Sequence, residues 1–274
     1  RAPNLDDLTS RQQTGAGYQG ENPNLRPEKS LALESGVRVE RRVFELALFG
    51  YRTAIDDLIA RAPLDKANCP PGFETGCAGY LLGCGGLGKC AVVDAHERDI
   101  DAYIAFAAAK EMQITHVIDT HVHADHRSGG PALATRVRAK YCLHASAEVD
   151  MNFEPLHDGQ EIELGNTRVR VLHTPGHTPE SVCLVVADLR RGPDPWFVLT
   201  GDTLFVGAVG RPDLPGRVQE SAGELFDSIH HKLLTLPGEL EVYPAHFGGS
   251  ACGAGISGKP STTLAFERRY NPLL

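Results

Sequence analysis

Residues 120–126, Thr-His-Val-His-Ala-Asp-His, place His121, His123, Asp125 and His126 within six positions. Burying three imidazoles and a carboxylate together without a charge partner is costly. Around a cation the same group is favourable, because imidazole nitrogen and carboxylate oxygen are good ligands for iron and zinc. On an extended backbone His121 and His123 point to the same side. His126 follows as the chain turns toward Ser128, Gly129 and Gly130. Three further segments are built in the same way, namely HTPGHTPES (173–181) with His177, LTGDTLF (199–205) with Asp202, and YPAH (243–246) with His246. Each sets a His or Asp just beyond an apolar run. Four such segments in one chain point to a metal-dependent enzyme.

The elements that must carry these residues are legible as patterns. CAVVDA reads as a buried strand, and ITHVIDT as the strand that delivers Thr120 and His121 at its end. Between them ERDIDAYIAFAAAKEM reads as a helix with Ile100, Tyr103, Ile104 and Ala107 inward. Ser128 is placed to cap a helix through PALATRVRA, and KYCLHA is a short strand. EIELGNTRVRVLHT is a hairpin turning at Gly165-Asn166. SVCLVVAD, WFVLTGD and LEVYPAH are strands. SAGELFDSIHHKLLTLPG is a helix with Leu225, Ile229 and Leu233 inward, and a last helix is predicted to start at Ser261. Candidate ligands thus fall at strand ends and in the loops beyond, where a rigid scaffold aims a site.

Composition bounds the rest. With 42% hydrophobic and 23% charged residues, the 274-residue chain fits a globular protein. The net charge of −8, with no long Lys/Arg run, argues against nucleic acid and anionic membranes as partners. No apolar window reaches the roughly 18 residues of a membrane-spanning helix. The N-terminus opens on Arg1 and is read as trimmed, without a signal-like apolar core. Residues 1–65 are expected to form an extension, a polar tail followed by a helix over about 37–62, ahead of a catalytic domain at 66–274. Of seven cysteines, Cys69, Cys77, Cys84 and Cys90 share one Gly-rich stretch with irregular spacing and no CxxC pair. Cys84 and Cys90 are expected to flank a turn in the reduced state, which suits a cytoplasmic location.

From about residue 77 onward the chain resembles the metallo-β-lactamase fold superfamily, through the HxHxDH motif and the three segments that follow it. The resemblance implies an α/β (α+β) fold, an αββα sandwich of two mixed β-sheets flanked by helices. GDTLFVGAVGRPDL, TLPGELEVYPAH and STTLAFERRYNPLL resemble the persulfide dioxygenases of that superfamily. These use one iron to oxidise a low-molecular-weight thiol persulfide with O₂ to sulfite and thiol. The resemblance implies one Fe(II) per chain on His121, His177 and Asp202, with His123, Asp125, His126 and His246 as catalytic neighbours. It also marks Arg211, in GRPDL, for substrate binding.

A second pattern uses all seven residues. His121, His123 and His177 would hold one zinc and Asp125, His126 and His246 another, with Asp202 bridging, for thioester hydrolysis of the glyoxalase II type. Hydrolases of that type carry a further C-terminal helical domain, and the short segment after His246 inclines the expectation to the dioxygenase. A persulfide-binding protein without turnover is a third class, which the full ligand set disfavours. Relatives that use glutathione persulfide carry a tyrosine and an arginine where Gly248 and Leu273 stand, so the thiol carrier is left open. Cys252, in the Gly-rich loop after His246, is expected near the site mouth. Expected partners are the persulfide and O₂, with a homodimer as the assembly to be tested. His96, His116, His144, His157, His230 and His231 are expected on surfaces or helices, away from metal.

Overall fold

The structure is a computed structural model. It describes residues 77–213, 218–248, 250 and 255–274 in full, and the backbone of strands at 12–14, 17–19, 29–41 and 44–56. The chain divides into two compact units, one of Arg1–Thr14 and Tyr18–Cys69, the other of Gly15–Gly17 and Pro70–Leu274.

Where a helix is expected over 37–62, the described residues 37–41 and 44–56 are strand, and the rest of that span lies outside the described residues. After the short paired strands β1 (Gln12–Thr14) and β2 (Gly17–Gln19), the backbone forms β3 (Lys29–Arg41) and β4 (Phe44–Asp56). These last two pair antiparallel from Arg41 opposite Phe44 out to Lys29 opposite Asp56. The reason is a period of two. Leu31, Leu33, Val37 and Val39 alternate along β3, and Leu46 and Leu48 along β4. The register sets Val37 opposite Leu48 and Val39 opposite Leu46. The looser helical spacing read through Val43, Leu46 and Phe49 loses to this alternation.

The second unit holds two sheets. One has the order β5 (Tyr80–Cys84), β6 (Lys89–Val93), β7 (Gln113–Ile118), β8 (Lys140–His144) and β9 (Glu154–Leu156), parallel from β6 onward. The other runs β10 (Glu161–Leu164), β11 (Thr167–His173), β12 (Val182–Asp188), β13 (Phe197–Gly201), β14 (Glu241–Pro244) and β15 (Thr262–Thr263). In it only β13 and β14 pair in parallel. Alternation along the strands sorts the side chains. Ala91, Val93 and Ile118 of the first sheet meet Val169, Val171, Leu184 and Leu199 of the second in a central core. Their neighbours Cys90, Val92 and Val117 face outward to helices α1 (Ile100–Ala109) and α2 (Gly130–Val137). On the other side Cys183, Val185 and Val198 pack under α3 (Val218–Asp227) and α4 (Leu264–Tyr270), with Leu225 and Leu264 inserted. The result is the four-layer αββα sandwich.

Local expectations mostly stand, with three adjustments. The helix expected from Ser221 continues past Asp227 only as a wider turn at Ser228–Lys232 and a tight one at Leu233–Thr235. The C-terminal helix starts at Leu264, later than Ser261, because Thr262 and Thr263 first pair with β14 and Thr263 then caps the helix by accepting from the amide of Phe266. His144 is buried at the end of β8, where its ring stacks on His173 at 3.7 Å. Cys84 and Cys90 do flank the turn between β5 and β6.

Candidate metal centre

The ends of β7, β13 and β14 and the loop after β11 converge on one edge of the sandwich. Thr120 and His121 leave β7 fully buried, and the amide of Val182 donates to the Thr120 carbonyl, joining the two sheets there. Gly201 sits at φ +51 directly against the Thr120 side chain, and Gly210 lies against the backbone of Asp202 and Cβ of His177. Any larger residue at either place would push the loops apart. Glu180, buried, accepts from the amide of Val122 at 2.8 Å and ties the His177 loop to the His121 loop.

Three ligand atoms come together. Nε2 of His177 lies 3.3 Å from Oδ2 of Asp202, and Nε2 of His121 lies 3.7 Å from the same oxygen. That oxygen is buried and has no hydrogen-bond partner among the described residues. Each histidine is set for coordination through Nε2. Nδ1 of His177 donates to the carbonyl of Arg211 at 3.0 Å, and a carbonyl only accepts, so the proton is on Nδ1. Nδ1 of His121 lies 3.0 Å from Oγ1 of Thr120, whose hydroxyl in turn donates to Asp94. Burial, and after it the neighbouring His123, hold the His121 imidazole down to about 3, so the ring stays neutral. Against the upward pull of burial, the hydrogen bond from His246 holds Asp202 below the usual carboxylate range. Bonds of roughly 2.1 Å to one ion put neighbouring ligand atoms about 3–3.5 Å apart. The donor set therefore fits a divalent metal: two neutral imidazoles and one carboxylate around a buried, unsatisfied oxygen.

The other predicted residues arrange differently. His246 is fully buried, with Nδ1 2.6 Å from Oδ1 of Asp202 and Nε2 2.8 Å from Oδ2 of Asp125. Both lengths are those of charge-assisted hydrogen bonds, shorter than the spacing of two atoms on one ion. His126 turns Nδ1 to Oδ1 of Asp125 at 2.9 Å and stacks on His96. Burial works against the cation, but the Asp125 bond prevails and raises His126 to about 10. His123 turns Nε2 to Oδ1 of Asp94 at 3.2 Å, while its buried Nδ1 has no partner among the described residues. Arg211 holds Asp213 in a fork at 2.6 and 2.8 Å. Cys252 lies outside the described residues. His173 bonds the Pro179 carbonyl at 2.8 Å, in the loop that carries His177.

Asp94 and Cys77 are the residues that sequence reading missed. Asp94 accepts from the amide and hydroxyl of Thr120 and from His123. It had the same signature as the others, an Asp just past the apolar strand β6. Cys77 bridges to His246 in backbone pairing, and its sulfur lies 3.6 Å from both Asp125 and His126. No local pattern marked it, since its partners are 48 and 49 residues away.

The family model described as Metallo-beta-lactamase superfamily matches residues 73–246, which includes every residue of this site. The chain belongs to the metallo-beta-lactamase superfamily. Among curated relatives, the human mitochondrial persulfide dioxygenase ETHE1 is 31% identical over 166 residues, 60% of this chain and 58% of that protein. A probable metallo-hydrolase of Burkholderia pseudomallei is 33% identical over 61% of this chain and 67% of its own length. The crystal structure of ETHE1 from Myxococcus xanthus superposes with a TM-score of 0.61 at 32% identity, covering 72% of this chain and 79% of the other. The chain thus spans under two thirds of the human persulfide dioxygenase. A second model, described as TonB dependent receptor-like, beta-barrel, matches residues 1–98 and covers the paired strands β1–β4. Among the described residues no helix is long and apolar enough to cross a membrane.

Proposed function

We propose that the second unit is a mononuclear iron persulfide dioxygenase, which converts a thiol persulfide, O₂ and water to thiol and sulfite. The observation that carries this reading is the partition of the ligands. His121, His177 and Asp202 share spacings suited to one ion, whereas His246 and His123 are engaged by carboxylates at hydrogen-bond length. The 31% identity to a persulfide dioxygenase supports the same reading.

Two histidines and a carboxylate on one side of Fe(II) would leave open positions where persulfide and O₂ meet and exchange electrons. The remaining residues act around that point. Asp202, His246 and Asp125 form one hydrogen-bonded chain, which fixes the ligating carboxylate and offers a path for protons. Asp94 fixes Thr120 and, through its hydroxyl, the orientation of His121. Arg211 positions His177 through its carbonyl, and its guanidinium can exchange Asp213 for an anionic group of the substrate.

The test is metal analysis of protein purified without added metal, together with O₂ uptake and sulfite formation on glutathione persulfide. One iron per chain with sulfite is the expected result. Two zincs per chain with thioester cleavage would put the dinuclear hydrolase in its place. That second reading is favoured by the buried, unpartnered Nδ1 of His123 and Nε2 of His126, and by the Burkholderia relative.

A further inference from the structure

The loop that carries Asp202 is a small hairpin, and both of its ends reach the metal centre. Leu204 pairs with Val209, the amide of Phe205 donates to the carbonyl of Ala208 at 3.0 Å, and Gly207 turns the tip at φ +78. Asp202 stands just before the first arm. Just after the second stand Gly210, against the backbone of Asp202 and Cβ of His177, and Arg211, whose carbonyl accepts from Nδ1 of His177. One hairpin thus carries a proposed ligand at one end and orients another from its other end.

The tip of this hairpin is held from outside it. Oε2 of Glu267, on α4, accepts from the amide of Gly207 at 2.9 Å. Nδ2 of Asn271, one helical turn on, donates to the carbonyl of Ala208 at 3.1 Å and to the same Oε2 of Glu267 at 2.9 Å. The two residues lie 60 and 63 positions along the chain from the groups they hold. Both are buried, so water does not compete for these bonds. A glutamate is almost never fully buried unless it is paired, and both groups that pair Glu267 belong to this contact. Docking of the helix does not call for it. Leu264 already anchors α4 in the apolar layer, and Thr263 caps it. An apolar side chain at 267 would pack there as well, but would leave the Gly207 amide without its acceptor.

We propose that Glu267 and Asn271 are positioning residues: together they clamp the tip of the hairpin and so fix how Asp202 and His177 meet the metal. This rests on His121, His177 and Asp202 holding a metal, as in the reading above, and not on the reaction at that metal. Neither residue touches a ligand; each acts through the hairpin. Without the clamp the tip can tilt about its two arms, and the ends move with it. Asp202 then shifts against His121 and His177, and the Arg211 carbonyl shifts away from Nδ1 of His177. Metal affinity falls while the sandwich stays folded. The clamp also gives a role to the segment STTLAFERRYNPLL, in which Glu267 and Asn271 stand four apart on one helix face.

The test separates positioning from stability. Full-length protein loaded with Fe(II), and separately with Zn(II), is titrated anaerobically with a competing chelator, and the melting temperature of each variant is measured alongside. Glu267→Ala and Asn271→Ala should each bind metal about tenfold more weakly than wild type, the loss expected of a residue that orients a ligand. Because the two form one clamp, the double variant should lose no more than either single one. Glu267→Gln should restore the affinity, since Oε1 has no partner among the described residues and a carboxamide oxygen can take the place of Oε2. Thr263→Ala removes the cap of the same helix without touching the hairpin. It should lower the melting temperature and leave metal affinity unchanged. Wild-type affinity in Glu267→Ala overturns the proposal, as do equal losses in Thr263→Ala, additive losses in the double variant, or a Glu267→Gln protein as weak as Glu267→Ala. Should Glu267→Ala fail to fold, Asn271→Ala decides in its place. Wild type that holds neither metal overturns the reading of the ligands themselves.

Discussion

Nδ1 of His246 lies 2.6 Å from Oδ1 of Asp202, and the carboxylate's other oxygen is the unpartnered one that faces His121 and His177. One side chain thus divides its two oxygens between an imidazole that orients it and the place of a metal. The division predicts different losses from the two partners.

His246→Ala should keep metal and lose speed. Removing a residue that only orients a ligand costs about 10–100-fold in affinity or activity. At protein concentrations well above the dissociation constant, occupancy stays near one per chain. Plasma emission on the dialysed variant, beside O₂ uptake, measures both. A His246→Ala protein that comes out metal-free would make His246 a ligand.

Asp202→Ala should lose most of its metal, because it removes the only anion among the three proposed ligands. Asp202→Asn keeps the shape and the bond to His246 but not the charge, and should fall between. Equal iron in all three proteins would move the metal elsewhere.

The sandwich was legible in the sequence because its strands are short, bounded by turn residues, and either alternate or run apolar throughout. Gly165 at φ +71 is the turn that Gly-Asn predicted. The candidate metal residues were legible because each follows an apolar run, which is how a strand end looks in sequence. Two things were not. The β3–β4 hairpin mixes a period of two with apolar residues that also satisfy a helical spacing, and only pairing between the strands decides. Cys77 reaches Asp125 and His126 through pairing with His246, far along the chain, and no local pattern records such a contact.

Stability should fall as pH drops from about 6.5 toward 4, in part through His144. Burial, and after it the neighbouring His173, lower this imidazole to about 4. Its ring is stacked on His173 and its Nδ1 lies 2.8 Å from Oγ of Ser146. Between its folded and unfolded values the unfolded chain binds the extra proton, so stability rises with pH across that window. It is fully present above the unfolded value and lost as His144 is forced to charge. His144→Gln should flatten this part of the curve of melting temperature against pH. A curve identical to wild type between pH 4 and 6.5 would clear His144 of the effect.

One metal or two is decided by three histidines measured side by side. His121 and His177 meet the unpartnered oxygen of Asp202, and each keeps Nε2 directed at the common point by fixing Nδ1 elsewhere. Removing either takes one of three ligands, and each bond supplies a large share of the binding energy. His126 belongs to the same loop as His121 but binds Asp125 and faces Cys77. In a dinuclear centre it would hold the second ion; in a mononuclear one it holds none. His121→Ala and His177→Ala should therefore come out nearly metal-free. His126→Ala should keep close to one iron per chain while sulfite formation drops by about 10–100-fold, the cost of losing a residue that acts through others. Metal content and O₂ uptake of the three variants give the answer in one experiment. Two metals in wild type and one in His126→Ala would replace the dioxygenase with the hydrolase.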